Sequence, residues 1–232
     1  MLEIECMESN VNTPKYEIIE KQGQKMVKAT LVDQTVRAES GALHYMKGDI
    51  ELQSKMPGAG SLLKSLITKE NIFRPTYTGT GEVYFGPPIF GEYNSLNLDG
   101  DSWILDQGSY VCSDMTVEIG VVRNKLLTGL KGGEGMFQTS VSGSGTVIFQ
   151  SPGPVELIEL NDDTLTVDGK FAVARQAHLD FKMTKAAKGW IASATSGEGF
   201  VNVIKGTGQV YIAPVSTVYQ SLVEAFPSPT TK

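Results

Sequence analysis

Cysteine, histidine and long apolar runs are scarce in this sequence of 232 residues, and each scarcity removes a class of protein. Two cysteines, Cys6 and Cys112, are too few for a disulfide framework in a chain of this size. Neither sits in a Cys-x-x-Cys pair, so a reducing, cytoplasmic compartment is expected. The two histidines, His44 and His178, have no His-x-x-x-His or His-Glu-x-x-His spacing around them. A zinc site would need the fold to assemble it, and both are read as hydrogen-bonded structural residues. No segment approaches the roughly 18 apolar residues of a membrane span. The first ten residues carry Glu3, Glu5 and Glu8 where a secretory leader needs a basic start and an apolar run, so no leader is expected.

Catalytic and nucleotide motifs are missing as well. There is no Gly-x-x-x-x-Gly-Lys-Ser/Thr phosphate loop and no Gly-x-Ser-x-Gly nucleophile elbow. The run from Gly79 through Gly81 to Tyr84 lacks the third glycine of a dinucleotide fingerprint, and strand follows where a helix should open. Net charge is -6 with a pI near 5.0, so the molecule as a whole repels phosphate backbones and anionic headgroups. Nucleic acid is not expected as a partner. Two sparse basic stretches, Arg123, Lys125 and Lys131, and Lys182, Lys185 and Lys188, read as solvated faces. Cys112 alternates as a strand residue within Tyr110-Val111-Cys112 and reads as an inert buried thiol.

Glycine is abundant, with 25 residues, and it is periodic. Gly79-Thr80-Gly81-Glu82-Val83-Tyr84-Phe85 returns as Gly143-Ser144-Gly145-Thr146-Val147-Ile148-Phe149 and as Gly206-Thr207-Gly208-Gln209-Val210-Tyr211-Ile212. The spacing of about 64 residues defines an internal repeat. Glu70, Glu134 and Glu198 recur at the same interval, each followed by an apolar pair. Leu98 to Asp106 and Val111 match Leu160 to Asp168 and Val173, and the counterpart in the first copy is placed near Val27 to Gly41.

A side-chain period of two puts Gly79, Gly81, Val83 and Phe85 on one face of a strand and Thr80, Glu82 and Tyr84 on the other. Glycines on a buried face leave room for another backbone. Three such strands suggest a pseudo-threefold arrangement. Strands and turns are read nearly throughout, with Leu98-Asp99-Gly100-Asp101, Asn161-Asp162-Asp163 and Val167-Asp168-Gly169 as hairpin punctuation. Short helices are expected only from Ser61 to about Asn71, with Leu62, Leu63, Leu66 and Ile67 on one side, and over 217–226 near the C-terminus. One domain is expected over 1–232, with repeats at about 15–85, 86–149 and 150–213.

The carboxylate pairs Asp99 with Asp101 and Asp162 with Asp163 are read as turn formers, since Asx side chains bond their own backbone. Glu70, Glu134 and Glu198 are the sharpest candidate site. Equivalent in a threefold fold, they either converge on a cation or cap backbone N–H groups and pair with basic neighbours. The structural reading is preferred, so no catalytic, cofactor-binding or metal residue is assigned and no cofactor is expected.

Gly133-Glu134-Gly135, Gly197-Glu198-Gly199, the three Gly-x-Gly-x-Val motifs and Leu160 to Asp168 together resemble the altered inheritance of mitochondria protein 24 family. The likeness runs from about Val36 to Ala213. It implies an all-β fold, a distorted jelly roll or double-stranded β-helix like the tryptophan RNA-binding attenuation protein, repeated three times in one chain. It implies no defined activity: mitochondrial members are linked to inner-membrane organisation, prokaryotic ones are uncharacterised, and the basic, Ser-rich targeting segment is lacking here. The expectation is a non-enzymatic structural or protein-interaction module that binds partners or forms homo-oligomers. A small-ligand or nucleic-acid binding module is the alternative by fold analogy, and an enzyme built from distant strands comes third. An exposed face on Leu62, Leu66 and Ile67 is the expected place for an interface.

Overall fold

Long alternating segments with few helix formers demand strands, and every regular element among the described residues is one. The computed structural model describes residues 13–54, 74–86, 91–124, 136–168, 171–185 and 200–215. Both expected helices fall outside them.

The strands are β1 (Lys15–Lys21), β2 (Gln24–Ala38), β3 (Leu43–Gln53), β4 (Thr76–Phe85), β5 (Glu92–Leu105), β6 (Tyr110–Asp114), β7 (Val117–Asn124), β8 (Met136–Ser151), β9 (Glu156–Asp168), β10 (Ala172–Gln176), β11 (Asp180–Lys185) and β12 (Phe200–Ile212). The pairings with a defined register are antiparallel. The chain divides into two compact units, one of Met1–Pro88 with Cys112–Met115 and one of Ile89–Val111 with Thr116–Lys232. Cys112–Met115, within the expected second repeat, thus belongs to the first unit.

In the first unit β4 is central, pairing β2 along one edge and β3 along the other. β1 and the Cys112–Asp114 part of β6 pair successive stretches of β2. Val27, Ala29, Leu31, Val36, Ala38, Tyr77, Val83 and Phe85 form the core, with Tyr77 and Phe85 edge to face at 5.2 Å. In the second unit β8 pairs β5 on one edge and β7 on the other. β12 pairs β9 on one edge, with β11 and β10 in succession on the other, and β10 bridges to β5. One core gathers around Trp103, Val141, Val147 and Phe149, a second around Leu160, Ile204 and Val210.

The glycine strands β4, β8 and β12 thus each lie between two neighbours, one of which is bulged opposite the Gly-x-Gly. On β2 the register shifts between Leu31, opposite Gly81, and Gln34, opposite Gly79. On β5 it shifts between Asp99 and Ser102, and on β9 between Leu160, opposite Gly208, and Asp163, opposite Gly206. Each shift inserts one extra residue, and an extra residue exchanges the two faces of a strand. Burial follows that exchange: on β2 Val27, Ala29 and Leu31 are inside before the bulge and Val36 and Ala38 after it. On β5 the inward set passes from Leu96 and Leu98 to Trp103 and Leu105, and on β9 from Ile158 and Leu160 to Leu165 and Val167.

The bulges need left-handed backbone, found at Asp33 (φ 55°), Gly100 (φ 79°) and Asp162 (φ 52°). In the first and last, the hydroxyl at the middle of the glycine motif accepts from the bulged amide: Asp33 N to Thr80 Oγ1 at 3.0 Å and Asp162 N to Thr207 Oγ1 at 2.9 Å. The sequence reading of Leu98–Asp101 and Asn161–Asp163 as hairpin turns is therefore corrected to mid-strand bulges. Residues that tolerate left-handed backbone serve both features, and composition does not separate them.

All six motif glycines have positive φ. A Cβ on Gly79 or Gly81 would strike the backbone carbonyl of Asp49 or Lys47 on β3. Gly100 has open space around it. Gly81→Ala is expected to lower unfolding stability by roughly 3 kcal/mol through backbone strain and overpacking. Gly100→Ala should cost only about 1 to 2 kcal/mol, the left-handed penalty alone. Urea unfolding of the two variants measures the difference; equal losses would show that the crowding at Gly81 carries no weight.

Candidate functional site

Glu70, Glu134 and Glu198 lie outside the described residues, as do Cys6, Lys125, Lys131, Lys188 and the face of Leu62, Leu66 and Ile67. His44, on β3, lays its ring against the backbone of Gly86 in the first unit. His178, in the second, places Nε2 2.9 Å from the Thr207 carbonyl oxygen. Each packs on its own unit's backbone. Asp101 accepts from the Asp99 amide at 3.1 Å and from Trp103 Nε1 at 2.7 Å, while Asp163 Oδ1 accepts from the Thr164 amide at 2.6 Å. Those carboxylates hold the bulges. Arg123 lies over the Phe137 ring at 5.7 Å and Lys182 pairs Asp180 at 3.1 Å on the surface. Cys112 is a buried free thiol, and burial pushes its pKa well up. No group of three or more His, Cys, Asp or Glu among the described residues is arranged to hold a metal ion.

One group of largely buried polar side chains was not anticipated. It lies in the second unit, at Asp106, Gln138 and Arg175. Arg175 sits on β10, opposite Ile104 of β5 and Val210 of β12, so aliphatic side chains flank it on both sides. It is 7% exposed, and its guanidinium lies 4.1 Å over the Phe181 ring of β11. Its Nε has no hydrogen-bond partner. Burial lowers the Arg175 pKa to about 10, partly offset by the charge of Asp106.

Asp106 closes the end of β5, its amide donating to the Val173 carbonyl at 2.8 Å and its own carbonyl accepting from Ser109 N at 3.1 Å. Its Oδ1 accepts from Gln138 Nε2 of β8 at 3.2 Å. Burial raises its pKa, against the opposing pull of Gln138, the Gln107 amide and Arg175. Sequence held one hint of this, since Asp106 and Asp168 match between copies. Nothing in the pattern marked Arg175, a lone arginine between Ala174 and Gln176.

In the first unit the outward face is a charged lattice. Lys28 bridges Glu17 at 2.6 Å and Glu82 at 3.6 Å, and the Tyr84 hydroxyl donates to Glu82 at 3.0 Å. Tyr45 of β3 stacks on Tyr84 at 4.1 Å. Desolvation and the neighbouring Glu82 push the Tyr84 pKa up to about 12. β3 itself is largely exposed, with Tyr45, Met46 and Leu52 between 41% and 47% accessible. Among the described residues it pairs along one edge only, to β4.

These features define an all-β protein of antiparallel strands with glycine-centred, bulged strand groups and no metal cluster among its described residues. The chain belongs to the mitochondrial biogenesis AIM24 family, which matches residues 16–215. It is 27% identical over 189 residues to an uncharacterised protein of Streptococcus pyogenes serotype M6, covering 77% of this chain and 76% of that one. A crystal structure of a Streptococcus pyogenes protein solved in a structural-genomics programme has the same fold, with a TM-score of 0.73 and 23% identity over 91% of this chain and 99% of the other. Neither relative carries a defined activity in its description.

A carboxyl whose pKa is raised in the folded state favours folding below its ordinary value of 3.8 and loses that contribution as pH rises through the folded value. Asp106→Asn removes this titration. The variant should therefore gain stability relative to the unsubstituted chain between pH 3.5 and 7, by about 1 kcal/mol for each unit of raised pKa. Urea unfolding at the two pH values reads the change; a difference that stays flat would mean Asp106 ionises in the fold without cost.

Proposed function

We propose that the protein is a non-catalytic β scaffold that associates with a second copy of itself through the free edge of β3. The observation that carries this reading is β3 itself, an eleven-residue exposed strand with one edge unpaired among the described residues. Free edges invite strand addition.

The order of residues on β3 favours self-pairing in one register. An antiparallel pair centred on Gly48 sets Lys47 opposite Asp49 and Tyr45 opposite Glu51 on one face. It sets Met46 opposite Ile50 on the other. Sliding by two residues in either direction brings Lys47 onto Lys47 or Asp49 onto Asp49, and directly opposed like charges are unfavourable. Exposed apolar side chains at Met46 and Leu52 would be covered in the favoured register.

The finer architecture belongs to the same proposal: three jelly-roll copies in one chain around a pseudo-threefold axis. It is supported by the recurrence of a bulged strand against a glycine strand in each copy. A cytoplasmic location is supported by the free thiol of Cys112. No helix among the described residues is long and apolar enough to cross a membrane. A net charge of -6 supports protein over nucleic acid as the partner.

Sedimentation equilibrium on the full chain is expected to show a dimer. Asp49→Lys, which opposes Lys47 across the pair, should weaken it by roughly tenfold. Lys47→Glu combined with Asp49→Lys restores the opposite charges and should recover most of the affinity. Thermal unfolding accompanies each variant, because Lys47 also faces Glu82 within the fold. A chain that stays monomeric, or a dimer indifferent to both variants, overturns the proposal.

A further inference from the structure

We propose that Tyr45 and Tyr84 form an oxidative cross-linking site in the first unit, where a peroxide-driven one-electron oxidant joins their rings through a Cε–Cε bond and staples β3 to β4. The site lies within one chain, so it goes beyond the β3 self-pairing and does not depend on it.

Tyr45 and Tyr84 are direct partners in the register of β3 with β4, so their side chains leave the sheet on the same face. Their ring centroids are 4.1 Å apart and their planes differ by 15°, a closer overlap than the spacing of about 4.5 to 7 Å usual for aromatic pairs. The two hydroxyls also hydrogen-bond each other, so the rings point the same way and the Cε carbons flanking each hydroxyl are brought together. Reacting atoms held in near contact need little further motion to bond. Tyr45 is 47% exposed and meets an oxidant from solvent, whereas Tyr77, Tyr93 and Tyr110 are at most 5% exposed.

The surroundings supply the proton path. The Tyr84 hydroxyl donates to Glu82 at 3.0 Å, and Lys28 lies 3.6 Å from the same carboxylate. A phenol that loses an electron becomes a strong acid, and a carboxylate already bonded to its proton receives it. Tyr84 otherwise keeps that proton up to a pH of about 12, so oxidation and not pH releases it. Each phenol gives up one electron and its hydroxyl proton, Tyr84 to Glu82 and Tyr45 to water. The two electrons and two protons reduce one hydrogen peroxide to two waters. The paired phenoxyl radicals form the Cε–Cε bond, and each Cε proton then moves to the oxygen of its own ring, restoring both phenols.

The test treats the full chain with hydrogen peroxide and a haem peroxidase. Dityrosine fluorescence should appear, and peptide mapping should find Tyr45 joined to Tyr84 with the loss of two hydrogen atoms, in a product that runs as a single chain under denaturing electrophoresis. Closing the long loop between the two residues should raise the thermal unfolding midpoint by roughly 5 to 10 °C. Tyr45→Phe and Tyr84→Phe keep the stacked rings, and each should lower the yield by about tenfold or more. Glu82→Gln removes the proton acceptor and should slow formation severalfold. Thermal unfolding of each variant before oxidation establishes that it is folded. A map without the Tyr45 to Tyr84 peptide, product formed only between chains, or an unchanged yield in folded Tyr84→Phe overturns the site. A Glu82→Gln rate equal to that of the unsubstituted chain overturns the proton path. Sedimentation of the untreated chain judges the β3 dimer separately, since a monomer forms the same staple.

Discussion

Each bulge set against its Gly-x-Gly strand is the constraint on which the remaining structure rests. A long strand with a strict period of two keeps one face inward for its whole length. β2, β5 and β9 instead exchange faces at Asp33, Gly100 and Asp162, and their apolar residues exchange with them. The partner strand has no such exchange, so it must accommodate the bend; its glycines do so with positive φ and no side chain. In the first and last copies the Thr between those glycines then satisfies the bulged amide. Geometry, burial and hydrogen bonding are solved by one local element.

The polar chemistry of the second unit is a by-product of where β10 lies. A short strand between β5 and β12 is exposed on neither edge, so its alternate residues enter cores on both faces. Ala174 joins the core around Trp103 and Phe149, while Arg175 enters the opposite side next to Val210. An arginine there is stabilised by the Phe181 ring and the field of Asp106, neither of which gives its Nε a hydrogen bond. That mismatch distinguishes Arg175 from the histidines and the bulge aspartates, whose side chains are already used by nearby backbone.

The first unit presents its chemistry at an edge. Charges and tyrosines on β1, β2 and β4 satisfy one another across the sheet, through Glu17, Lys28, Glu82 and Tyr84. β3 takes part on one side, through the stack of Tyr45 on Tyr84, and leaves the rest of its length exposed. Its alternation of Lys47, Asp49 and Glu51 resembles the charge patterns that natural edges use to choose partners.

The all-β class, the family and the three glycine strands were legible in the sequence because period-two burial and paired glycines leave a pattern in linear order. The first-copy counterpart of Leu98 to Asp106 was placed near Val27 to Gly41, with no bulge foreseen there; β2 carries one between Leu31 and Gln34. The bulges themselves were mistaken for turns, since Asp99, Gly100, Asp162 and Asp163 carry the same backbone preference in either setting, and only the register with the opposing strand distinguishes them. Asp106, just past β5, Gln138 on β8 and Arg175 on β10 lie far apart in sequence and leave no mutual spacing to recognise. Their burial, the unpartnered Nε of Arg175 and the ring beneath it exist only once β5, β8, β10 and β11 are in place. Sequence determined which residues would lie on strands, and tertiary pairing decided which face each one met, because a single inserted residue reverses every side chain beyond it.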